Sequence, residues 1–252
     1  MVSEKEYIVI EMYESVFDKI KRAFRRGIGI IYNPFVTFTD IAEDPDVLGP
    51  FLIVLLYLFS SLISRELYYN KVIVNIVDPK SNAVIESISM TFQDINQVLV
   101  FLGSVGLRVI VGWILITLAL WILGGLLGGD VRGKAIFASV GYLLMLSILE
   151  LILRDINFII ASYGFNIIEV NISLKEDRRN ILPIVSNEIN RQLSSVSWPY
   201  MQVDKFLWIL FRTWLLGSFI ALSNSVSKLS LKKSVVTGAI CFLIVLFTGL
   251  FT

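Results

Sequence analysis

Asn33-Pro34-Phe35-Val36-Thr37-Phe38-Thr39-Asp40-Ile41-Ala42-Glu43-Asp44-Pro45-Asp46-Val47-Leu48-Gly49-Pro50 runs straight into a charge-free, apolar stretch from Phe51 to Ile63. The helix-breaking Gly49-Pro50 pair marks where the chain leaves water. Working outward, five segments have the roughly 20 mostly apolar residues that a spanning helix needs: about 49–65, 105–127, 134–153, 206–224 and 234–251. Inside hydrocarbon each must be helical, because only a helix satisfies its own backbone polar groups. The expected fold is therefore an all-α polytopic membrane protein with five transmembrane helices.

Composition agrees. Of 252 residues 56% are hydrophobic and 17% charged, with a mean hydropathy of +0.75; a soluble domain is nearer half apolar and a quarter charged. A net charge of +1 gives no basic excess for phosphates, so no nucleic-acid partner is expected. The chain has no histidine, which removes His-dependent triads, His-ligated zinc, His-ligated haem and the usual proton shuttle near neutral pH. Its one cysteine, Cys241, lies in an apolar run and reads as a small buried hydrophobe. Neither an enzyme nor a cofactor is expected. Residues 1–30 alternate charged and apolar side chains, a pattern that predicts no cleavable signal peptide.

Two connections are short and basic: Gly128–Gly133 with Arg132 beside Lys134, and Ser225–Lys233 with Lys228, Lys232 and Lys233. Two are long and charge-balanced, about 66–97 and 154–205. Because Lys and Arg concentrate on cytoplasmic loops, the expectation is a cell-membrane protein with a cytoplasmic N-terminus and an extracytoplasmic C-terminus. Residues 33–50 run against that rule, carrying acids but no Lys or Arg.

Before Asn33, the residues Ile10, Tyr13, Phe17, Ile20 and Phe24 recur every three or four positions among charged side chains, the stripe of an amphipathic helix. Residues 1–32 are expected to form a cytoplasmic helix, and 33–252 the membrane domain. The patch Lys21, Arg22, Arg25 and Arg26 suits anionic headgroups; packing of the apolar stripe on the bundle ends is the alternative. In the outer loops, Lys71–Val77 and Ala83–Met90 around a turn predict two strands, Asn166–Leu174 a third, and Leu182–Leu193 an amphipathic helix. Together they would make a small α/β extracytoplasmic cap. Asn171-Ile172-Ser173 within it is a glycosylation sequon, a weak signal.

Charges at membrane depth are costly and tend to pair. Arg108, Glu150 and Arg212 fall in the outer halves of three spans and are expected to form a polar cluster, with Arg154 and Asp155 nearby; snorkelling to headgroups is the alternative. Glu150 and Arg154 have the Glu-x-x-x-Arg spacing of an intramembrane protease helix, but such enzymes need further partners, commonly histidines. Gly124, Gly125, Gly128 and Gly129 make overlapping Gly-x-x-x-Gly spacings, expected to serve packing and turning within the monomer. No Gly-Lys-Ser/Thr follows, so they are no phosphate loop.

These features resemble the Ypt/Rab-interacting-protein (Yip) domain family in its prokaryotic form. The family has an Asp-x-x-Gly-Pro element at the first span, here Asp46-Val47-Leu48-Gly49-Pro50. It has a Trp-containing second span ending in Gly-Gly, here Trp113 and Gly124-Gly125, and a Gly-Tyr pair in the third span, here Gly141-Tyr142. The likeness covers about residues 33–250. The chain has Leu48 where the family often has Tyr, and no Pro between Leu143 and Ile148. The resemblance implies five spans, a cytoplasmic N-terminus and no catalytic residues. Its eukaryotic members are associated with vesicle trafficking and small GTPases.

Three functional expectations stand together. The first is a non-enzymatic membrane protein that organises membrane or recruits partners. The second is a transporter or channel component for a small solute, with two Arg against one Glu favouring an anion; against it, no span reads as interrupted mid-membrane and no repeat is visible. The third is an accessory subunit of a larger complex. The lipid bilayer is the expected partner in all three, alongside protein partners or a homo-oligomer.

Overall fold

Pro34 pre-sets the first-turn φ of a helix, and the Asn33 side chain accepts a hydrogen bond from the Val36 amide, so a new helix begins there. A computed structural model describes residues 16–78, 80–81, 83–163, 168–173, 181–195 and 198–248. It resolves α1 (Val16–Tyr32), α2 (Pro34–Glu43) and α3 (Leu48–Tyr69), then β1 (Val72–Val77), β2 (Val84–Ser89) and α4 (Ile95–Leu126). There follow α5 (Gly133–Tyr142), α6 (Leu144–Ser162), β3 (Ile168–Ser173), α7 (Ile181–Ser194), α8 (Tyr200–Ser225) and α9 (Leu231–Thr248).

Five candidate spans result: α3, α4, α5 with α6, α8 and α9. Each expected segment has its helix, with α4, α6 and α8 running furthest past the expected ends. At 1.5 Å per residue, the 32 residues of α4 cover about 48 Å against a hydrocarbon core of about 30 Å. The hydropathy reading stops where side chains turn polar, whereas the helix continues under the Asp94 cap, whose carboxylate accepts from the Gln97 amide.

The third span runs from Gly133 to Ser162 as one candidate span, with a single tightened turn at Leu143, whose backbone stays helical: Leu143 N–H bonds Val140 O at 3.1 Å and Leu146 N–H bonds Leu143 O at 3.0 Å. No proline is needed: side chains from α3 and α4 crowd the backbone at Gly141 just before this turn.

The second span ends in a Schellman motif. Gly128 adopts φ +76°, a conformation that glycine reaches without a Cβ penalty. Gly128 N–H bonds Gly125 O and Gly129 N–H bonds Gly124 O, at 3.1 and 2.8 Å. A Cβ on Gly129 would lie 2.5 Å from the Ser227 carbonyl, so the glycine-rich run turns the chain and seats the 226–230 connection, as expected of packing within the monomer. Both short basic connections, α1 and α2 lie at one end of the bundle: Asp130 N–H bonds Ser227 O at 2.9 Å, and Arg132 reaches Ala42 O at 3.4 Å.

At the other end β2, β1 and β3 form a sheet in the order β2-β1-β3. β1 pairs antiparallel with β2, with a register shift at Ile76/Val77, and parallel with β3. Val72, Val74, Val170, Val185 and Ile189 bury themselves with Phe158 and Tyr200. The sheet and α7 thus sit on the ends of α6 and α8. Asn171 of the sequon accepts through Oδ1 from Asn75 Nδ2 at 3.2 Å. The main core runs from Ala23 and Ile30 of α1 through Trp113 and Tyr142 to Cys241.

Of the predicted amphipathic stripe, Ile10 and Tyr13 lie outside the described residues. Phe17 and Phe24 are exposed, while Ala23, Arg26, Gly27 and Ile30 face the bundle. Of the described part of the stripe, Phe17 and Phe24 therefore do not pack on the bundle, while Ile20 is half-buried. Small residues win the inward face because they allow close approach: a Cβ on Gly27 would meet Ile53 at 3.2 Å.

Candidate functional site

The Asp-x-x-Gly-Pro element caps α3. Asp46 Oδ1 accepts from the Gly49 amide at 3.2 Å, placing a carboxylate at a helix N-terminus, where the dipole favours it. The Tyr142 hydroxyl, at the end of α5, donates to the same carboxylate at 3.0–3.1 Å. Arg26 of α1 completes the node. Its Nη1 donates to Asp46 Oδ2 at 2.8 Å, Nε to Asp40 Oδ2 at 2.8 Å, and Nη2 to the Asp40 carbonyl at 3.1 Å.

Glycine is required at both contacts. A Cβ on Gly49 would sit 1.7 Å from the Tyr142 hydroxyl, and one on Gly141 would sit 2.6 Å from Pro50 and from the Trp113 ring. Trp113 is held by a 2.7 Å bond from Nε1 to the Phe137 carbonyl and by stacking on the Phe137 ring at 4.3 Å. Asp46, Gly49, Pro50, Gly141 and Tyr142, scattered over nearly a hundred positions, meet at one point with Trp113 behind them.

Arg26 therefore departs from the expected membrane-surface patch: its side chain is 1% exposed. Arg22 pairs with Asp44, and Arg25 approaches Asp40 at 3.8 Å. Asp40, Asp44 and Asp46, three of the acids of 33–50 that ran against the positive-inside rule, are counter-ions of α1. Around this node a cleft of about 530 Å³ is lined by Asp18, Lys21, Arg22, Arg25, Asp40 and Asp44. The hydrogen bond from Arg26 holds the Asp40 carboxyl below its usual value, burial opposing and the Arg26, Arg25 and Arg22 charges reinforcing. For Arg26 burial pulls downward, yet Asp40 and Asp46 outweigh it and raise the guanidinium further.

The second constellation lies in the opposite half of the bundle. Arg212, buried on α8, donates through Nη2 to both oxygens of the buried Glu150 at 3.2–3.3 Å. Arg154, one turn along α6, is 3.7 Å from Glu150 and forms a two-pronged contact with Asp204 at 2.8 and 3.1 Å. Arg108 does not join: it is exposed on α4 and makes no ion pair among the described residues. Asp204 takes its place. Ser218 and Thr117 hydroxyls and Arg212 Nε are buried without a hydrogen-bond partner among the described residues.

Neither constellation pairs a nucleophile with a base, and no group of three or more metal-ligating side chains occurs among the described residues. Asp40 is the residue of the node that sequence reasoning misses, and Arg26, counted there with the surface patch, is its partner. The available signal was the acidic run 40–46 following a basic run 19–26, complementary charge on two helices joined by a Pro turn. The model of the Yip1 domain family matches residues 28–252. No curated protein and no solved structure matches the chain.

Proposed function

Since the chain belongs to the Yip1 domain family, we propose that this multi-pass membrane protein is non-enzymatic and organises membrane or recruits partners through a cytoplasmic platform made by α1 and α2. One observation carries the reading: the Arg26–Asp46–Tyr142 node fastens α1 rigidly to the bundle while leaving Phe17, Phe24 and Ile28 exposed beside Lys21 and Arg25. A helix that only covered the core would turn its aromatic side chains inward. Apolar and basic groups side by side suit the boundary of an anionic leaflet. We place the protein in the cell membrane, with its N-terminus and the basic connections inside and the sheet outside.

The test is extraction of the full chain with its surrounding lipid in polymer nanodiscs. Wild type should retain more anionic lipid than a variant with Lys19, Lys21 and Arg25 changed to Gln; equal lipid complements would overturn the platform reading. Sidedness is read from a cysteine at Ser81, which membrane-impermeant reagents should label from outside. Cys241, fully buried, adds little background. Labelling from inside only would reverse the orientation.

A transport role is the second reading, supported by the Arg212–Glu150–Arg154–Asp204 chain. The preference for anions loses its basis once Asp204 replaces Arg108. Flux of a charged small solute into proteoliposomes, lost in Glu150→Gln, is what this reading requires.

A further inference from the structure

The two edges of the sheet differ. Along β2 the pairing with β1 slips at Ile76/Val77, a bulge of the kind that keeps an edge strand from recruiting others. β3 runs beside β1 in unbroken register from Ile168 to Ser173 and carries neither Pro nor Lys. Among the described residues β1 is its one strand neighbour. Backbone donors and acceptors on the far side of β3 therefore have no ladder, and such a row is a template for a further strand. Gln192 of α7 reaches one of them, its Nε2 donating to the Glu169 carbonyl at 3.1 Å.

This edge faces a groove. A cleft of about 660 Å³ is lined on one side by residues 169–171 and on the other by the α7 face that runs from Ile184 to Gln192. At 1.5 Å per residue that wall is about 12 Å long, the reach of about four residues in a strand. A strand edge beside a helix wall is a geometry that takes up an extended peptide through main-chain bonds.

The lining also says which side chains would suit. Val170 packs towards α7 with Val185 and Ile189, so Glu169 and Asn171 point to the opposite, open face of the sheet. Of the charged groups in the cleft, Arg191 is bound to Glu188 at 2.8 Å, and Glu188 also accepts from Gln192 at 3.0 Å. Asn171 is held by Asn75. The exposed Glu169 carboxylate makes no ion pair among the described residues. On the α7 side the half-buried Ile184 is the apolar contact.

We propose that this groove takes up an extended peptide of a partner protein as a further strand beside β3, and selects one that alternates basic with apolar side chains. Main-chain bonds to β3 hold it, Glu169 receives the basic side chains on the open face, and Ile184 receives the apolar ones. The groove lies at the sheet end, away from the α1 platform, so either reading can fail without the other.

Fluorescein-labelled hexapeptides are titrated onto detergent-solubilised full-length protein and read by anisotropy, with empty micelles as the blank. One alternates valine with lysine, one valine with glutamate, and one is the lysine peptide with alternate backbone nitrogens methylated. The lysine peptide should bind saturably and the glutamate peptide at least about tenfold more weakly. Methylation should weaken binding by about the same factor, because it removes main-chain donors. Asn187→Trp, which fills the exposed side of the groove, should abolish binding and leave the melting temperature unchanged. Ile85→Trp, the same bulk on the β2 edge, should bind like wild type. Glu169→Lys should invert the preference between the lysine and glutamate peptides, a readout that stands whether or not Asn187→Trp folds. No saturable binding, an uninverted preference, undiminished binding of the methylated peptide, or Asn187→Trp binding like wild type would each overturn the proposal. So would loss of binding in Ile85→Trp, or a dimer in solution that Asn187→Trp dissolves, since the groove would then belong to a second copy.

Discussion

Replacing Arg26 with Met tests whether the node at the α3 N-terminus holds its end of the bundle together. The substitution keeps most of the apolar stem and removes the charge. Asp46, whose side chain is 20% exposed, then keeps only the Tyr142 hydroxyl and the Gly49 amide. Breaking a buried pair costs about 3–5 kcal/mol because the remaining charge stays buried. The Asp40 arm, 43% exposed, adds at most about 1 kcal/mol after solvent screening. Asp46 is not fully enclosed, so about 3 kcal/mol is expected, or about 6–12 °C in melting temperature for a chain of this size. Asp46→Asn alone should cost less, because its amide oxygen still accepts from Tyr142 and Gly49. In the double variant no charge is stranded at Asp46, and the combined loss should fall short of the sum by about 1–3 kcal/mol. Tryptophan fluorescence during thermal unfolding in detergent reads all four proteins. A neutral Arg26→Met, or losses that add within about 0.5 kcal/mol, would refute the reasoning.

Gly49→Ala should cost about 1–3 kcal/mol by overpacking and be partly rescued by Tyr142→Phe, since the nearest atom is the hydroxyl at 1.7 Å. Gly103→Ala, with open space around it, should be neutral or gain up to about 1 kcal/mol in helix propensity; melting temperatures separate the two. Glu150→Gln strands Arg212 and should destabilise the bundle by about 2–3 kcal/mol, whereas Arg108→Leu should change stability by less than about 0.5 kcal/mol; equal effects in a thermal-shift assay would contradict the pairing. Asp40, held below its usual value in the folded state, stabilises fully above the ordinary carboxylate range of about 3.9 and loses that contribution as pH falls through its lowered folded value. Asp40→Asn should accordingly flatten the acid limb of a stability-against-pH curve.

Hydropathy located the spans because depth in a bilayer is written into consecutive residues. Azimuth is not, and that is where expectation and structure part. Arg108 lies one turn from the exposed Val111, while Arg212 lies one turn from the buried Leu215. Asp204, eight residues before Arg212 and so close to its face, was legible by the same counting. The strands β1 and β2 of the small sheet were readable from β-branched runs around a turn. The meeting of Gly49, Pro50 and Gly141 was not, since close backbone approach leaves only absent side chains behind. Arg26 was hidden by its type: an arginine among basic neighbours reads as surface until its acids are found on another helix.

The short helix α5 has a consequence for assembly. Ala135, Ile136, Ala138, Ser139, Val140, Gly141 and Tyr142 are all buried, so almost none of its surface meets lipid. A rod sheathed by protein gains little from entering the bilayer early. Its place exists only once α2, α3 and α4 surround it. The innermost element of this fold is thus the one whose shape is dictated by its neighbours, and threading of the chain into the membrane must leave that slot to be filled as they close.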